Sequence, residues 1–254
     1  MVRRGLAKSR EQARHCIMAG EVRVGGRRAE KPSIPVTEAD EIALEAKDRF
    51  VSRGGLKLEK AMEAFSIDIE GKAAADIGAS TGGFTDCMLR RGARRVYAVD
   101  VGYGQLDYGL RTNPAVVVME RTNARSLEPG MFGEALGFAA MDVSFISVRL
   151  ILPALQPCMA PGAQAVVLVK PQFEAGRDKV GRRGVVRDRG VHEEVLRETM
   201  EHARQAGFFV RGLDFSPIKG PEGNIEFLLF LSTAPPEVPV SVERVVDEAH
   251  TQMH

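Results

Sequence analysis

Ala73-Ala74-Ala75-Asp76-Ile77-Gly78-Ala79-Ser80-Thr81-Gly82-Gly83-Phe84-Thr85-Asp86 is the stretch on which the reading of the chain turns. A short apolar run ends at Asp76, a loop of small residues follows, and Thr85-Asp86-Cys87-Met88-Leu89 opens a helix. The order is strand, tight turn, helix. Small residues at such a turn let an adenosine or a phosphate approach the backbone, and the helix N-terminus offers unpaired N–H groups. The stretch therefore reads as a nucleotide-type pocket.

Outward from it, apolar strands alternate with helical segments, the pattern of a mostly parallel sheet covered on both faces. Strands are predicted at 73–77, 95–100, 115–119, 137–142 and 165–170, with helices at 84–91, near 108–111, at 148–159 and at 192–206. Two late strands, 208–215 and 226–232, pair as an antiparallel hairpin, and 242–249 forms a last short helix. The fold class is α/β, a Rossmann-like sheet with an antiparallel last strand. Before it, Leu58, Ala61, Met62 and Phe65 at i, i+3, i+4 and i+7 mark a buried helical stripe, and Lys57 lies off that stripe. On spacing alone Lys57 is a solvated surface lysine.

Residues 1–46 have a different character. Ser9-Arg10-Glu11-Gln12 has the form of a capping box opening a helix that stops at Gly20. Glu21 to Val24 alternates like a strand, Gly25-Gly26 signals a hairpin turn, and a second short strand is expected at 41–44. Residues 1–35 hold nine basic residues against three acidic ones, whereas the rest of the 254-residue chain holds 26 against 31. A small basic α+β module on a mildly acidic body points to a polyanionic partner. Arg3, Arg4, Lys8, Arg10, Arg14, Arg23 and Arg27 are its candidate phosphate contacts. Residues 47–55 read as a linker and 56–254 as the second domain.

Other classes are disfavoured. No run of about 18 apolar residues is present, and the basic N-terminus lacks an apolar stretch behind it, so the expectation is a cytoplasmic protein without a membrane partner. Cys16, Cys87 and Cys158 are widely spaced and the five histidines scattered, so neither a disulfide framework nor a metal site is expected.

The chemistry-bearing residues fall at strand ends. Asp100 ends the second strand about 20 residues beyond the turn, where a carboxylate accepts hydrogen bonds from the ribose hydroxyls of an adenosine. Gly78 to Gly83 follow Gly-x-x-x-Gly-Gly rather than Gly-x-Gly-x-x-Gly, which argues against a pyrophosphate. Asp76 suits a cofactor with a positively charged amino-acid end, such as S-adenosyl-L-methionine. The expected cofactor residues are Asp76, Gly78, Ala79, Ser80, Thr81, Gly82, Gly83, Phe84, Asp100 and Asp142. Asp142, Lys170 and Glu226 also fall on the carboxyl edge of the sheet. Beyond Lys170 comes a glycine-containing loop with Arg177, Lys179, Arg182, Arg183, Arg187 and Arg189, read as facing RNA.

Two sets of motifs carry a family resemblance. Gly5-Leu6-Ala7-Lys8-Ser9-Arg10-Glu11-Gln12-Ala13 and Ala19-Gly20-Glu21-Val22-Arg23-Val24-Gly25-Gly26 resemble the "S-four" RNA-binding domain. Val51-Ser52-Arg53-Gly54-Gly55-Leu56-Lys57-Leu58, Asp76 to Phe84, Met141-Asp142-Val143-Ser144-Phe145-Ile146-Ser147, Lys170-Pro171-Gln172-Phe173-Glu174-Ala175-Gly176 and Gly184-Val185-Val186-Arg187-Asp188 are similar to the TlyA (hemolysin A) family of rRNA 2'-O-methyltransferases, whose catalytic domain is FtsJ-like. The resemblance implies a Lys57, Asp142, Lys170 and Glu226 tetrad, S-adenosylmethionine as cofactor, and a cytidine ribose in the ribosomal RNA of assembled subunits as substrate. On that reading Lys170 is the base, Asp142 positions it, Lys57 stabilises the alkoxide and Glu226 orients Lys57 or the ribose. A membrane-active cytolysin and an RNA-binding protein without activity are the competing readings.

Overall fold

The computed structural model describes residues 1–7, 9–18, 22–29, 31–44, 49–181 and 183–253, with His15 described by its backbone alone. The expected helix stop at Gly20, the strand start at Glu21, Lys8, Arg182 and positions 47–48 of the linker lie outside the described residues. Contacts divide the chain into Met1–Arg49 and Phe50–His254. Phe50 to Gly55, read from sequence as linker, thus belong to the second unit; Phe50 is 4% exposed because its ring packs where a side chain on Gly55 would otherwise stand.

In the first unit α1 (Arg10–Met18) starts as the capping box requires, with Ser9 Oγ accepting from the Gln12 amide at 3.1 Å. The strands β1 (Val22–Val24), β2 (Arg27–Arg28) and β3 (Ile42–Leu44) form an antiparallel sheet in the order β2-β1-β3. The β2 strand adds to the sequence reading, since Gly25 and Gly26, with φ of 54° and 76°, turn the chain tightly enough to pair Arg27 with Val24. Cys16, Val22 and Ala29 make its small core.

The second unit begins with α2 (Gly54–Ala64), β4 (Ala73–Ile77), α3 (Gly83–Arg90), β5 (Arg95–Val99), α4 (Tyr108–Arg111), β6 (Val116–Met119) and β7 (Leu136–Met141). It continues with α5 (Leu152–Leu155), β8 (Met159–Val169), α6 (Pro171–Glu174), α7 (Arg189–Gln205), β9 (Phe209–Phe215), β10 (Phe227–Ser232) and α8 (Val242–Gln252). One seven-stranded sheet runs β6-β5-β4-β7-β8-β10-β9, parallel except that β10 is antiparallel to both neighbours. The period-2 alternation of the strands sorts side chains to two faces. Ala73, Ala75 and Ile77 pack with Leu152, Leu196 and Val246 of α5, α7 and α8. Ala74, Phe138 and Val166 pack with Leu58, Met62 and Met88 of α2 and α3. Each fully buried Leu, Met or Phe in these layers contributes about 1.5–3 kcal/mol.

One expected element is not continuous. The helix predicted at 148–159 is a 3-10 turn at Val148–Leu150, a single turn of α5 and a second 3-10 turn at Gln156–Cys158. Pro153 and Pro157 each remove a backbone donor, so a regular ladder of hydrogen bonds is lost. The β8 strand starts at Met159, earlier than the apolar run from Ala165 indicates, through Gly162 at φ 75°.

Strand order reverses between β4 and β7, and open sheets bind ligands outside the carboxyl ends of strands at such a point. Gly78 follows β4 there with φ 88°. A Cβ on it would stand 2.5 Å from the Asp142 carbonyl oxygen, so the requirement for glycine comes from the neighbouring strand end rather than from a ligand. Gly78→Ala is expected to destabilise the protein by about 2–4 kcal/mol, combining left-handed strain with overpacking. An unchanged urea midpoint would show that the end of β7 yields without cost.

Candidate active site

A cleft of about 370 Å³ opens at this switch point, within the size range of small-molecule sites. Gly78, Ser80, Asp100 and Asp142 line it, together with Gln105, Thr122, Asn123 and the wall Val143-Ser144-Phe145-Ile146. Asp100 Oδ2 accepts from the Ser80 amide and Oδ1 from the Gly102 amide, each at 2.7 Å. These bonds hold the turn after β4 against the end of β5. Each carboxylate oxygen keeps a second lone pair, the acceptor capacity that a ribose diol needs.

The remaining expected cofactor residues do not line the cleft. Ala79 packs with Leu106 and Leu110, and Phe84 lies in the layer with Leu58 and Met88. Thr81 is exposed and its carbonyl accepts from the Asp107 amide. Side chains at Gly82 or Gly83 would strike Leu110 or Ser52, so both glycines serve helix packing. Asp76 is 1% exposed, and its Oδ2 accepts from the Thr85 amide at 2.8 Å and the Thr85 hydroxyl at 2.7 Å, tying β4 to the first turn of α3. Its Oδ1 is buried with no partner. Burial first, opposed by the Thr85 bonds and reinforced by the Asp142 and Asp100 charges, pushes this carboxyl up to about 7. An orphaned buried acceptor among three carboxylates fits a ligand carrying positive charge, as a sulfonium amino acid does.

Beside the cleft the fold gathers four charges from distant parts of the chain. Lys57 comes from the first turn of α2, Asp142 follows β7, Lys170 follows β8 and Glu226 precedes β10. Lys57 Nζ donates to Glu226 Oε2 at 2.5 Å and stands 4.0 Å from Asp142 Oδ2. Lys170 Nζ pairs with Asp142 Oδ1 at 2.6 Å and donates to Ser144 Oγ at 3.0 Å. Both lysines are 8% exposed and Glu226 is 1% exposed. The solvated reading of Lys57 therefore fails, because the carboxyl edge of the sheet turns α2 inward and supplies its counter-ions. Glu226 Oε1 sits over Gly220, where a Cβ would come within 2.7 Å of it.

Sequence reasoning passed over Phe145. It is 90% exposed, adopts φ 64° and meets Phe173 with ring centroids 5.1 Å apart. Its strained backbone has no signature in residue type. Ser144, Gln105, Thr122 and Asn123 were missed for a related reason, since each enters the cleft through a loop without periodicity.

The basic residues divide. Arg3, Arg10 and Arg14 line a cavity of about 550 Å³ in the first unit with Lys31. Arg4 donates to the carbonyls of Thr37, Glu38 and Asp40, and Arg23 to that of Gly26, so both brace loops. Arg27 is exposed on β2. In the loop after α6, Lys179 pairs with Glu194, and Arg189, the first residue of α7, pairs with Asp247; Arg183 and Arg187 are exposed. Among the described residues no group could hold a metal ion, and no helix is long and apolar enough to cross a membrane.

Fold and site together define a Rossmann-like methyltransferase that uses S-adenosylmethionine. More narrowly, the chain belongs to the FtsJ-like methyltransferases, whose family model matches residues 50–233. The S4 domain model matches residues 1–42. Among curated relatives, "Putative rRNA methyltransferase YqxC" of Bacillus subtilis is 49% identical over 98% of this chain and 92% of its own length. The "16S/23S rRNA (cytidine-2'-O)-methyltransferase TlyA" of Mycobacterium tuberculosis is 47% identical over 92% and 88%. A solved structure, "Putative hemolysin from Streptococcus thermophilus", superposes with a TM-score of 0.80 at 50% identity, covering 97% of this chain and 92% of that one.

Asp76 makes stability depend on pH in a stated direction. Between its ordinary value of 3.8 and about 7 the folded chain holds a proton that the unfolded chain has lost. Stability contributed here therefore falls as pH rises through that window, by roughly 4 kcal/mol in total. Asp76→Asn, without added cofactor, is expected to flatten the change in urea midpoint between pH 4 and pH 7. An identical slope in the variant would show that the carboxyl ionises as freely as in the unfolded chain.

Proposed function

We propose that this protein methylates the 2'-hydroxyl of a ribose, a cytidine in the ribosomal RNA of assembled subunits. The carrying observation is the ion-pair chain Glu226–Lys57, Asp142–Lys170 beside the adenosine-type cleft. When bound, S-adenosylmethionine supplies an electrophilic methyl group. Asp100 and the turn from Gly78 to Ser80 would hold its nucleoside, with Asp76 and Asp142 facing its positive charge. A ribose hydroxyl is a weak nucleophile at neutral pH, so a positioned base must take its proton. Lys170 Nζ is that base, once it has given up its own proton, and Asp142 Oδ1 and Ser144 Oγ fix where the nitrogen stands. Lys57 Nζ stabilises the charge that develops on the oxygen, and Glu226 Oε2 aims it.

Phe145 supports an RNA substrate. An aromatic ring left 90% exposed at the edge of the cleft gives a base a face to stack on once its ribose reaches Lys170. The S4 domain, with Arg3, Arg10 and Arg14 around one cavity, supplies phosphate contacts that position RNA without reading its sequence. Arg183 and Arg187 belong to the same class of contact. The curated TlyA relative named for 16S and 23S rRNA supports ribosomal RNA as the target.

Lys170→Ala is expected to bind S-adenosylmethionine as the native protein does while methyl transfer to isolated ribosomal subunits falls by roughly 10²–10⁴-fold; retained turnover in a tritiated-methyl assay would remove Lys170 from the role of base. Phe145→Ala should cost roughly 5- to 100-fold in transfer, the worth of one base–aromatic stack, with cofactor affinity unchanged. Equal transfer by the two proteins would mean that the ring meets no base.

A further inference from the structure

We propose that Glu174 is a positioning residue: by clamping Ser147 and Val148 to α6 it holds the Asp142–Ser147 loop, and with it Phe145 and Ser144, in register with Lys170. This rests on the methyltransferase reading above. Glu174 ends α6, four residues after Lys170. Its Oε2 accepts from the Ser147 hydroxyl at 2.5 Å and its Oε1 from the Val148 amide at 2.9 Å. Burial pushes this carboxyl above the ordinary carboxylate range, and the bonds from Ser147 and Val148 pull the other way. A partly buried carboxylate that spends both oxygens on donors from Ser147 and Val148 fixes the place of that segment.

The loop is anchored at its other end by the same neighbourhood. The Asp142 amide donates to the Ile77 carbonyl at 2.9 Å, and its Oδ1 is paired with Lys170. A closed circuit results, from Lys170 through Asp142 and the loop to Ser147, then across Glu174 and back along one turn of α6. Val143, Ser144, Phe145 and Ile146, the residues between the anchors, all line the cleft. Phe145 sits at φ 64°, a conformation that persists only where the surroundings over-determine it. Phe173, the ring it meets, is the residue before Glu174, so one helical turn supplies both the clamp and the ring contact.

The full-length protein tests this in three comparisons, with melting temperature as the check on folding. Glu174→Ala should lower kcat for methyl transfer to ribosomal subunits by roughly 10- to 100-fold, as small misplacements of a reacting group do. Glu174→Gln, which keeps an acceptor for the Val148 amide, should recover to within about threefold of the native rate. In the Glu174→Ala, Phe145→Ala double variant the losses should not multiply, because both act through one loop. A folded Glu174→Ala protein with native kcat and KM, or losses that multiply, overturns the proposal. Should Glu174→Ala fail to fold, Ser147→Ala removes one donor, and a native rate there overturns it equally. If the native protein transfers no methyl to any subunit, the function reading falls by itself. Amide exchange at residues 143–147 then decides the clamp: faster exchange in Glu174→Ala upholds it and unchanged exchange sinks it.

Discussion

Two lysine ammonium groups, almost wholly removed from water, are held in place by two carboxylates, and the architecture of the second unit answers to that requirement. Neither charge could stay buried alone, since an unpaired buried ion costs several kcal/mol. Pairing them side by side puts Asp142 between the lysines and Glu226 behind Lys57. Such a chain of alternating charge does little for stability compared with apolar packing of the same volume. It stands at the carboxyl edge of an otherwise apolar sheet, where open α/β sheets bind their ligands.

The sheet makes the arrangement possible. Parallel strands covered on both faces leave their carboxyl ends as the open edge, and the reversal of order between β4 and β7 makes a crevice there. Antiparallel β10 brings its start to that edge, which delivers Glu226 beside residues from β7 and β8. The loops then do the shaping. Asp100 braces the turn after β4, and Asp76 fastens β4 to α3. The same carboxylate that orders α3 is left with one buried oxygen without a partner.

The strand-turn-helix at 73–86 was legible because its periodicity and small-residue loop are local. The cofactor residues drawn from it were only partly placed by the same logic: Gly78 and Ser80 reach the cleft, whereas Gly82 and Gly83 are spent on packing. Residue type cannot tell a glycine at the rim of a cleft from one that makes room for a leucine. The basic residues show the same limit. Lys179 and Arg189 look like Arg183 and Arg187 in the sequence, but α7 and α8 bring Glu194 and Asp247 against the first pair.

By itself the sequence determined the alternation of strands and helices, the small basic module ahead of it, the strand-end places of Asp100, Asp142 and Lys170, and, through motif resemblance, the family. These follow from periodicities of 2 and 3.6 and from turn chemistry, which act within a few residues of each other. Only the tertiary structure decided that Lys57 is buried, that Glu226 binds it across 169 residues of chain, that Asp76 serves α3, and that Phe145 stands exposed in a strained loop. Burial, ion pairing and the proton affinity of a carboxyl depend on what surrounds a side chain in space. That surrounding exists only once the sheet has chosen its strand order.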